Sequence, residues 1–261
     1  MRGARANATL NANNDRHIPV LSDFLRVQGS FIPCFFNAMI FTFWEGRKPA
    51  YIELCMETWK FPFVVLNYDN LHHYTDMPLD RLKRFTLPQI ADCVRAHVLR
   101  DHGGYWLDAD TIMLGDKLPH AVILGDDEKR INTCGYLYAP KAHMDFFSKW
   151  AEHQDHIINA DNYVDSWDLM ANAFTDRYLQ ERLDIQIGSI YPYWLETDDE
   201  HDRRRKYIEF YFCHSYKLAD LKTDSMIMLH NQWTPKRYKR RTREEVFERD
   251  CTLTNILREL T

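Results

Sequence analysis

Gly103-Gly104-Tyr105-Trp106-Leu107-Asp108-Ala109-Asp110-Thr111 is the stretch of this 261-residue chain whose reading decides its fold. Two glycines stop whatever precedes them. Three apolar residues then form a short strand, and two carboxylates two residues apart project to the same side of an extended segment. Just past an apolar strand, they stand where α/β sheets present ligands, outside the carboxyl ends of the strands. Two such oxygens hold one hard divalent cation, one carboxylate directly and the other directly or through water. Mg²⁺ or Mn²⁺ at that place would bridge a diphosphate and neutralise the charge that builds as it leaves. Asp-x-Asp also arises often by chance, so its surroundings decide its meaning.

Upstream lies the best helix of the chain, Thr86 to Arg100. Thr86 serves as N-cap, Pro88 sits in the first turn, and Gln89 stands at the capping-box position. Ile90, Val94 and Val98 form one stripe, with Ala91 and Leu99 beside it. Asp92 and Arg95 are spaced i,i+3 and share a face. They read either as an intrahelical ion pair or as an acid for sugar hydroxyls and a guanidinium for phosphate. Further upstream, Phe35 to Phe43 reads as a buried strand ending at the turn Trp44-Glu45-Gly46-Arg47-Lys48-Pro49. Tyr51 to Lys60 carries Ile52, Cys55, Met56 and Trp59 at helical spacing, and Phe63 to Leu66 is a second short strand ended by Asn67-Tyr68-Asp69-Asn70. Strand, helix, strand in this order is a parallel βαβ unit. Downstream, small-domain structure is expected to Leu124, an aromatic-rich helical half from His143 to Tyr178, and a final helix from Glu244 to Leu260.

Composition supports a substantial core, with 45% hydrophobic and 14% aromatic residues, and argues against disorder. A net charge of −5 and a pI near 6.2 exclude a globally basic, nucleic-acid-coating protein. The six cysteines, Cys34, Cys55, Cys93, Cys134, Cys213 and Cys251, contain no Cys-x-x-Cys pair, so reduced thiols are expected. Residues 1–17 are polar and expected to be frayed, without the apolar run of a signal peptide; the sequon Asn7-Ala8-Thr9 carries no weight there. No apolar stretch is long enough to span a bilayer. The expected localisation is cytoplasmic, with peripheral contact at the inner membrane surface as an open alternative. No linker interrupts residues 18–261, which read as one domain.

The run Ala91-Asp92-Cys93-Val94-Arg95, followed by Gly103-Gly104-Tyr105-Trp106-Leu107-Asp108-Ala109-Asp110-Thr111, resembles the sugar-binding region of the glycosyltransferase 32 and capsular polysaccharide synthesis proteins. The clostridial glucosylating toxins share the pattern more distantly. Phe43-Trp44-Glu45-Gly46, the turn Asp69-Asn70-Leu71 and the tail Leu229-His230-Asn231-Gln232-Trp233 fall in the family's order, so the likeness runs from about Ile32 to Trp233. It implies a GT-A fold, a Rossmann-like α/β domain with a mostly parallel central sheet and helical additions. It also implies a nucleotide-diphosphate sugar donor, here a UDP-sugar, and Mn²⁺ or Mg²⁺. Carried across, Asp92 and Arg95 would hold the donor sugar and phosphates. Asp110 would ligate the metal directly, and Asp108 would act on ribose, sugar or a metal-bound water. Trp44 would stack on the nucleobase, His230 or Asn231 would complete the metal or pyrophosphate shell, and Trp233 would close over the phosphates. Transfer with retention to a hydroxyl of a glycan or lipid-linked acceptor is implied as well, by a front-face route that needs no protein base.

Asn132 to Tyr178 has no firm counterpart beyond a loose likeness in Trp167-Asp168-Leu169. The sugar, acceptor, linkage and oligomeric state are not readable, and neither Asp165 nor Asp168 can be assigned as a nucleophile. Arg95→Ala is expected to weaken donor binding more than it lowers thermal stability. The basic run Lys236 to Arg243, echoed by Arg203 to Lys206, reads as contact with anionic headgroups or a lipid diphosphate, or as a solvated face. Asp198-Asp199-Glu200 reads as a solvated loop. Two rivals remain. A haloacid dehalogenase-like phosphohydrolase would use Asp108 as nucleophile and Asp110 as acid/base, with Gly125-Asp126-Asp127 and Lys117 downstream, but too few βα units separate these motifs. A non-catalytic sugar-nucleotide-binding module would bind without turnover.

Overall fold

The first strand ends where the sequence places it, at Phe43, and a second runs parallel to it one helix later. In a computed structural model that describes residues 39–126, 131–163, 165–185, 187–189, 199–221 and 225–261, the strands are β1 (Ile40–Phe43), β2 (Phe63–Leu66), β3 (Gly104–Leu107), β4 (Thr111–Met113), β5 (Ile123–Asp126), β6 (Ile131–Ala139), β7 (Ile187–Ser189) and β8 (Met226–Met228). The principal helices are α1 (Ala50–Glu57), α2 (Leu79–Leu82), α3 (Leu87–His102), α4 (Met144–Asn159), α5 (Asn172–Glu181), α6 (Glu200–Ile208), α7 (Lys236–Lys239), α8 (Arg243–Phe247) and α9 (Thr252–Leu260).

Six strands form one sheet in the order β2-β1-β3-β6-β5-β7. The β1–β2, β1–β3 and β5–β7 pairs are parallel, and β6 runs against both of its neighbours. A mostly parallel α/β sheet with helices, as expected, is therefore present. From β1 the chain adds β2 on one side, crosses over, and adds β3 on the other side. That reversal is a topological switch point, which opens a crevice beyond the carboxyl ends of β1 and β3. Trp44 follows β1 and Asp108 follows β3, so both flank it.

The approach of β3 to β1 depends on Gly104. Its φ is +83°, and a Cβ there would lie 2.6 Å from the Met39 carbonyl oxygen, which accepts from Tyr105 N–H at 2.9 Å. No other residue type fits that backbone and that spacing together. Helix α3 starts as its sequence indicates. Gln89 Oε1 accepts from Thr86 N–H at 3.0 Å and from the Thr86 hydroxyl at 2.8 Å. Its inner face buries Ile90, Cys93, Val94 and Val98. The described residues form one compact unit, in which Trp106, Trp150, Tyr51 and Tyr136 are fully buried.

Several expectations need correction. The single terminal helix from Glu244 to Leu260 is two, α8 and α9, broken because Cys251 is extended (φ −151°) and Thr252 N–H leaves the helix ladder for the His214 carbonyl at 2.7 Å. The helical half from His143 to Tyr178 is α4 and part of α5, separated by irregular chain. The nine-residue strand β6 was not foreseen, nor was the small antiparallel sheet β4–β8. Asp198 lies outside the described residues, and Asp199 caps α6 by accepting from Asp202 N–H at 3.1 Å. The basic side chains of α6 include Arg205, paired with Asp202 and Glu209, and Lys206, paired with Asp202, which suits a solvated face. Residues 1–17, with the sequon, and Cys34 lie outside the described residues. The described cysteines are free. Among the described residues no helix is long and apolar enough to cross a membrane.

Candidate active site

The tail of the chain reaches the carboxylate pair through β4 and β8. Their antiparallel register sets Thr111 opposite Met228, so the residues after β8 continue alongside Asp110. Leu229 N–H donates to the Asp110 carbonyl at 3.1 Å, and Asn231 N–H donates to Asp110 Oδ2 at 2.7 Å. The structure thus brings together Asp108, Asp110, His230 and Asn231, which the sequence separates by more than a hundred positions. Helix α1 and the two residues that follow it secure both. Thr58 Oγ1 accepts from Met113 N–H at 2.8 Å, Trp59 Nε1 donates to the Thr111 carbonyl at 2.8 Å, and the Tyr51 hydroxyl donates to Asn231 Oδ1.

Asp92, Arg95 and Asp108 form one cluster. Arg95 Nη2 lies 3.1 Å from Asp92 Oδ1 and 3.2 Å from Asp108 Oδ1. Its Nη1 donates to the Cys134 carbonyl, its Nε to the Ala91 carbonyl at 3.3 Å, and its guanidinium lies 5.1 Å from the centre of the Trp106 ring. Trp106 Nε1 donates to Asp108 Oδ1 at 2.9 Å. The Arg95 side chain is 6% exposed and every part of it is engaged. It orients two acids, Asp92 and Asp108. Burial would lower the Arg95 pKa, but the charges of Asp108 and Asp92 outweigh that and raise it.

Two carboxylates contact one buried guanidinium and a third, Asp110, lies within reach of its charge, and the electrostatics show the excess. Burial pushes Asp110 up to about 7, with the charge of Asp108 adding to it and the hydrogen bond from Asn231 opposing it. Burial also pushes Asp92 up to about 6, against the pull of Arg95. Asp108 Oδ2 and Asp110 Oδ1 accept no hydrogen bond from another described residue. Two free hard oxygens with surplus negative charge fit Mg²⁺ or Mn²⁺. They do not form a closed cage, since among the described residues no three His, Cys, Asp or Glu side chains gather to hold a metal ion. His230 stacks flat on Trp233, with ring centres 3.9 Å apart and planes at 6°, and burial holds its pKa down to about 4. It is neutral at physiological pH. Trp233 is buried in that stack and against Tyr207. Trp44 is half-buried, and its Nε1 is buried with no partner among the described residues. A buried N–H left without an acceptor, just past the end of β1, suits an acceptor on a bound ligand.

A pH dependence follows. A carboxyl whose folded pKa is raised binds its proton more tightly folded than unfolded, so it contributes stability below about 3.8 that is lost as pH rises to about 7. In EDTA, the melting temperature of Asp110→Asn minus that of the parent is expected to grow from pH 4 to pH 7 and level off above it. A difference constant across that range would mean that the Asp110 carboxyl titrates as it does in water.

Gly135, on the unforeseen strand β6, sets the seat of Asp108. Its carbonyl accepts from Asp108 N–H at 2.8 Å. A Cβ there would meet Met228 Cε at 2.0 Å and Asp108 Oδ2 at 2.9 Å. The methionine end can swing away, but Asp108 is tied to Trp106 and Arg95. Gly135→Ala is expected to weaken Mn²⁺ binding by about tenfold or more, the usual scale for disturbing ligand orientation, with a smaller relative loss of thermal stability. Isothermal titration with Mn²⁺ and a melting curve read the two effects separately. Unfolding without a selective loss of metal affinity would show Gly135 to be a packing residue only.

The segment after α4 also borders the cluster. Gln154 Nε2 donates to the carbonyls of Asp92 at 2.8 Å and Met170 at 2.6 Å, and Gln89 Nε2 donates to Asp165 Oδ1 at 2.8 Å. These ties place Trp167, 80% exposed, on the chain segment beside Asp92. Asp168 accepts from the Ser166 hydroxyl. Asp127, which the phosphohydrolase reading needs, lies outside the described residues.

Residues 34–159 match the family described as capsular polysaccharide synthesis protein, which bears out the resemblance read from the sequence. That segment includes Asp92, Arg95, Asp108, Asp110 and Gly135. No curated protein matches the chain, and no solved structure does.

Proposed function

With the capsular polysaccharide synthesis family recognised over residues 34–159 as the premise, we propose that this protein is a metal-dependent glycosyltransferase of GT-A type. It would move a sugar from a nucleotide diphosphate, a UDP-sugar, to a hydroxyl of a glycan or lipid-linked acceptor. The observation that carries this reading is the pair Asp108 and Asp110 beyond the tip of β3. Each has a free oxygen, and burial beside Asp108 holds the Asp110 carboxyl near neutrality.

The residues divide the work as follows. Asp108 and Asp110 would hold Mn²⁺ or Mg²⁺, which when bound supplies positive charge against the departing diphosphate. Arg95 holds Asp92 and Asp108 in register, and its charge opposes the burial that raises the Asp92 pKa. The second oxygen of Asp92 is then left to accept from donor-sugar hydroxyls. Asn231 fixes the rotamer of Asp110 through its main-chain N–H, and Tyr51 in turn fixes Asn231. Trp44 offers its face to the nucleobase and its indole N–H to an acceptor. Neutral His230, stacked on Trp233, walls the site without adding charge. Retention follows from a front-face route, in which the leaving phosphate takes the proton of the incoming hydroxyl and no protein base is required.

The test is a screen of nucleotide sugars for Mn²⁺-dependent hydrolysis or transfer, run in parallel with EDTA. Turnover of one donor that EDTA abolishes is expected. Release of phosphate from a generic phosphomonoester, with no donor turned over, would favour the phosphohydrolase instead. Metal-dependent binding without any turnover would leave a sugar-nucleotide-binding module.

A further inference from the structure

We propose that a cationic cleft between residues 47–50 and 239–243 binds a phosphate group other than the donor's diphosphate. The cleft encloses about 490 Å³, and six of the side chains lining it are cationic: Arg47, Lys48, Lys239, Arg240, Arg241 and Arg243. One acid, Glu53, faces them. Arg243 is spent, since both of its Nη atoms donate to the Glu57 carboxylate. Arg241 Nη1 donates to the Glu245 carbonyl at 3.1 Å, but its Nε is buried and meets no acceptor among the described residues. Arg47, Lys48, Lys239 and Arg240 take part in no ion pair among the described residues.

A buried guanidinium N–H without an acceptor costs the desolvation of that group, and crowded like charges repel. One multivalent anion relieves both. The planar fork of arginine matches a phosphate's oxygens two at a time, and the higher charge and extra oxygens of a phosphate engage several cations at once, which a halide or a lone carboxylate does not. The first turn of α1 begins in the wall of the same cleft, with Pro49 at its N-cap and no side-chain cap. Its free N–H groups add positive potential there. Burial lowers the pKa of Lys239 in the lining, and the charge of Asp110 opposes that shift. Its lining offers no acidic pair for a cation, so the anion it takes is bound without metal. This inference follows from shape and charge and does not rest on the transferase reading. Within that reading the phosphate is one carried by the acceptor, or the headgroup of an anionic lipid at which the enzyme works.

The test uses inorganic pyrophosphate in EDTA, where donor binding through a cation is switched off, with isothermal titration on the full chain. Saturable binding is expected for the parent and for Asp110→Asn. A loss of tenfold or more is expected both for Lys48→Ala with Arg240→Ala and for Arg241→Gln, each melting with the parent. Cosedimentation with phosphatidylcholine vesicles containing phosphatidic acid separates the sources. Capture that pyrophosphate displaces assigns the cleft to a lipid headgroup, whereas pyrophosphate binding without capture assigns it to a soluble phosphate. No pyrophosphate binding in EDTA would overturn the proposal. So would equal binding by the folded variants, or vesicle capture that neither pyrophosphate nor the double substitution affects. Mn²⁺-dependent donor turnover in the same preparations shows independently whether the transferase reading stands.

Discussion

Asp110→Asn is expected to lower Mn²⁺-dependent donor turnover by about 10³-fold or more while raising the melting temperature of the metal-free protein at pH 8. The two effects share one cause. Asp110 is 8% exposed, and its carboxyl is pushed up to about 7 first by burial and then by Asp108. At pH 8 the metal-free parent therefore holds a buried anion it would shed if it could, and each unit of upward shift corresponds to about 1.4 kcal/mol at most. Asparagine keeps the shape and an oxygen for Asn231 N–H but removes the charge, so the metal-free fold gains. The same change removes one of two anionic ligands, and the electrostatic help a bound cation gives to a leaving phosphate is worth several kcal/mol, or about 10³-fold in rate. Stability is thus traded for a charged site. Melting curves with and without Mn²⁺, together with donor hydrolysis, check both halves. A variant that loses stability in EDTA and keeps parental turnover would show that Asp110 is a structural acid.

Arg95→Ala is expected to destabilise the protein by about 3–5 kcal/mol, the scale for removing one partner of a buried ion pair. For a chain of this size that is a fall on the order of 10 °C in melting temperature. This reverses the balance expected from sequence, where donor affinity was to suffer more than stability. The reason is geometric. The guanidinium faces Asp92, Asp108 and the carbonyls of Ala91 and Cys134, and it lies over Trp106. Truncation removes the guanidinium from two acids and two carbonyls in a buried place, and the cost is structural first. Arg95→Lys is expected to recover part of the stability but little of the geometry, because an ammonium cannot fork between Asp92 and Asp108 while still reaching Cys134. Differential scanning calorimetry of both variants beside nucleotide titrations separates the contributions. An unchanged melting temperature for Arg95→Ala would mean that the cluster is not closed as described.

The part of the fold that lies near the acidic pair was legible because it is local. The capping box of Thr86 and Gln89, the positive-φ glycines 103 and 104 and the apolar run 105–107 are each read within a few residues, and each is present. Asp92, Arg95 and Asp108 were nominated by spacing, and the structure brings them together. What escaped depends on distant pairing. β6 carries Asn132, Thr133 and Gly135 among its apolar residues, and Cys134 takes a φ of +51° beside a register shift in the β5–β6 pairing. No helical or alternating pattern survives such an irregularity. Yet β6 supplies the carbonyls that hold Arg95 and Asp108. The route of the tail to Asp110 was equally hidden, since three-residue strands such as β4 and β8 have no pattern of their own and exist by pairing with each other. The contacts of Arg95 were hidden for a third reason: i,i+3 spacing specifies a shared helix face and not whether a second acid waits across it. Tyr51 opens the helical stretch read from sequence, and nothing in its neighbours announces the hydrogen bond to Asn231.

The most direct measurement is a crystal of the protein soaked with Mn²⁺ and UDP, examined for manganese anomalous scattering. One peak within ligand distance of Asp108 and Asp110, bridging to the diphosphate and absent from Asp110→Asn, is the predicted result. Ordered nucleotide with no manganese between those two carboxylates and the phosphates would contradict it.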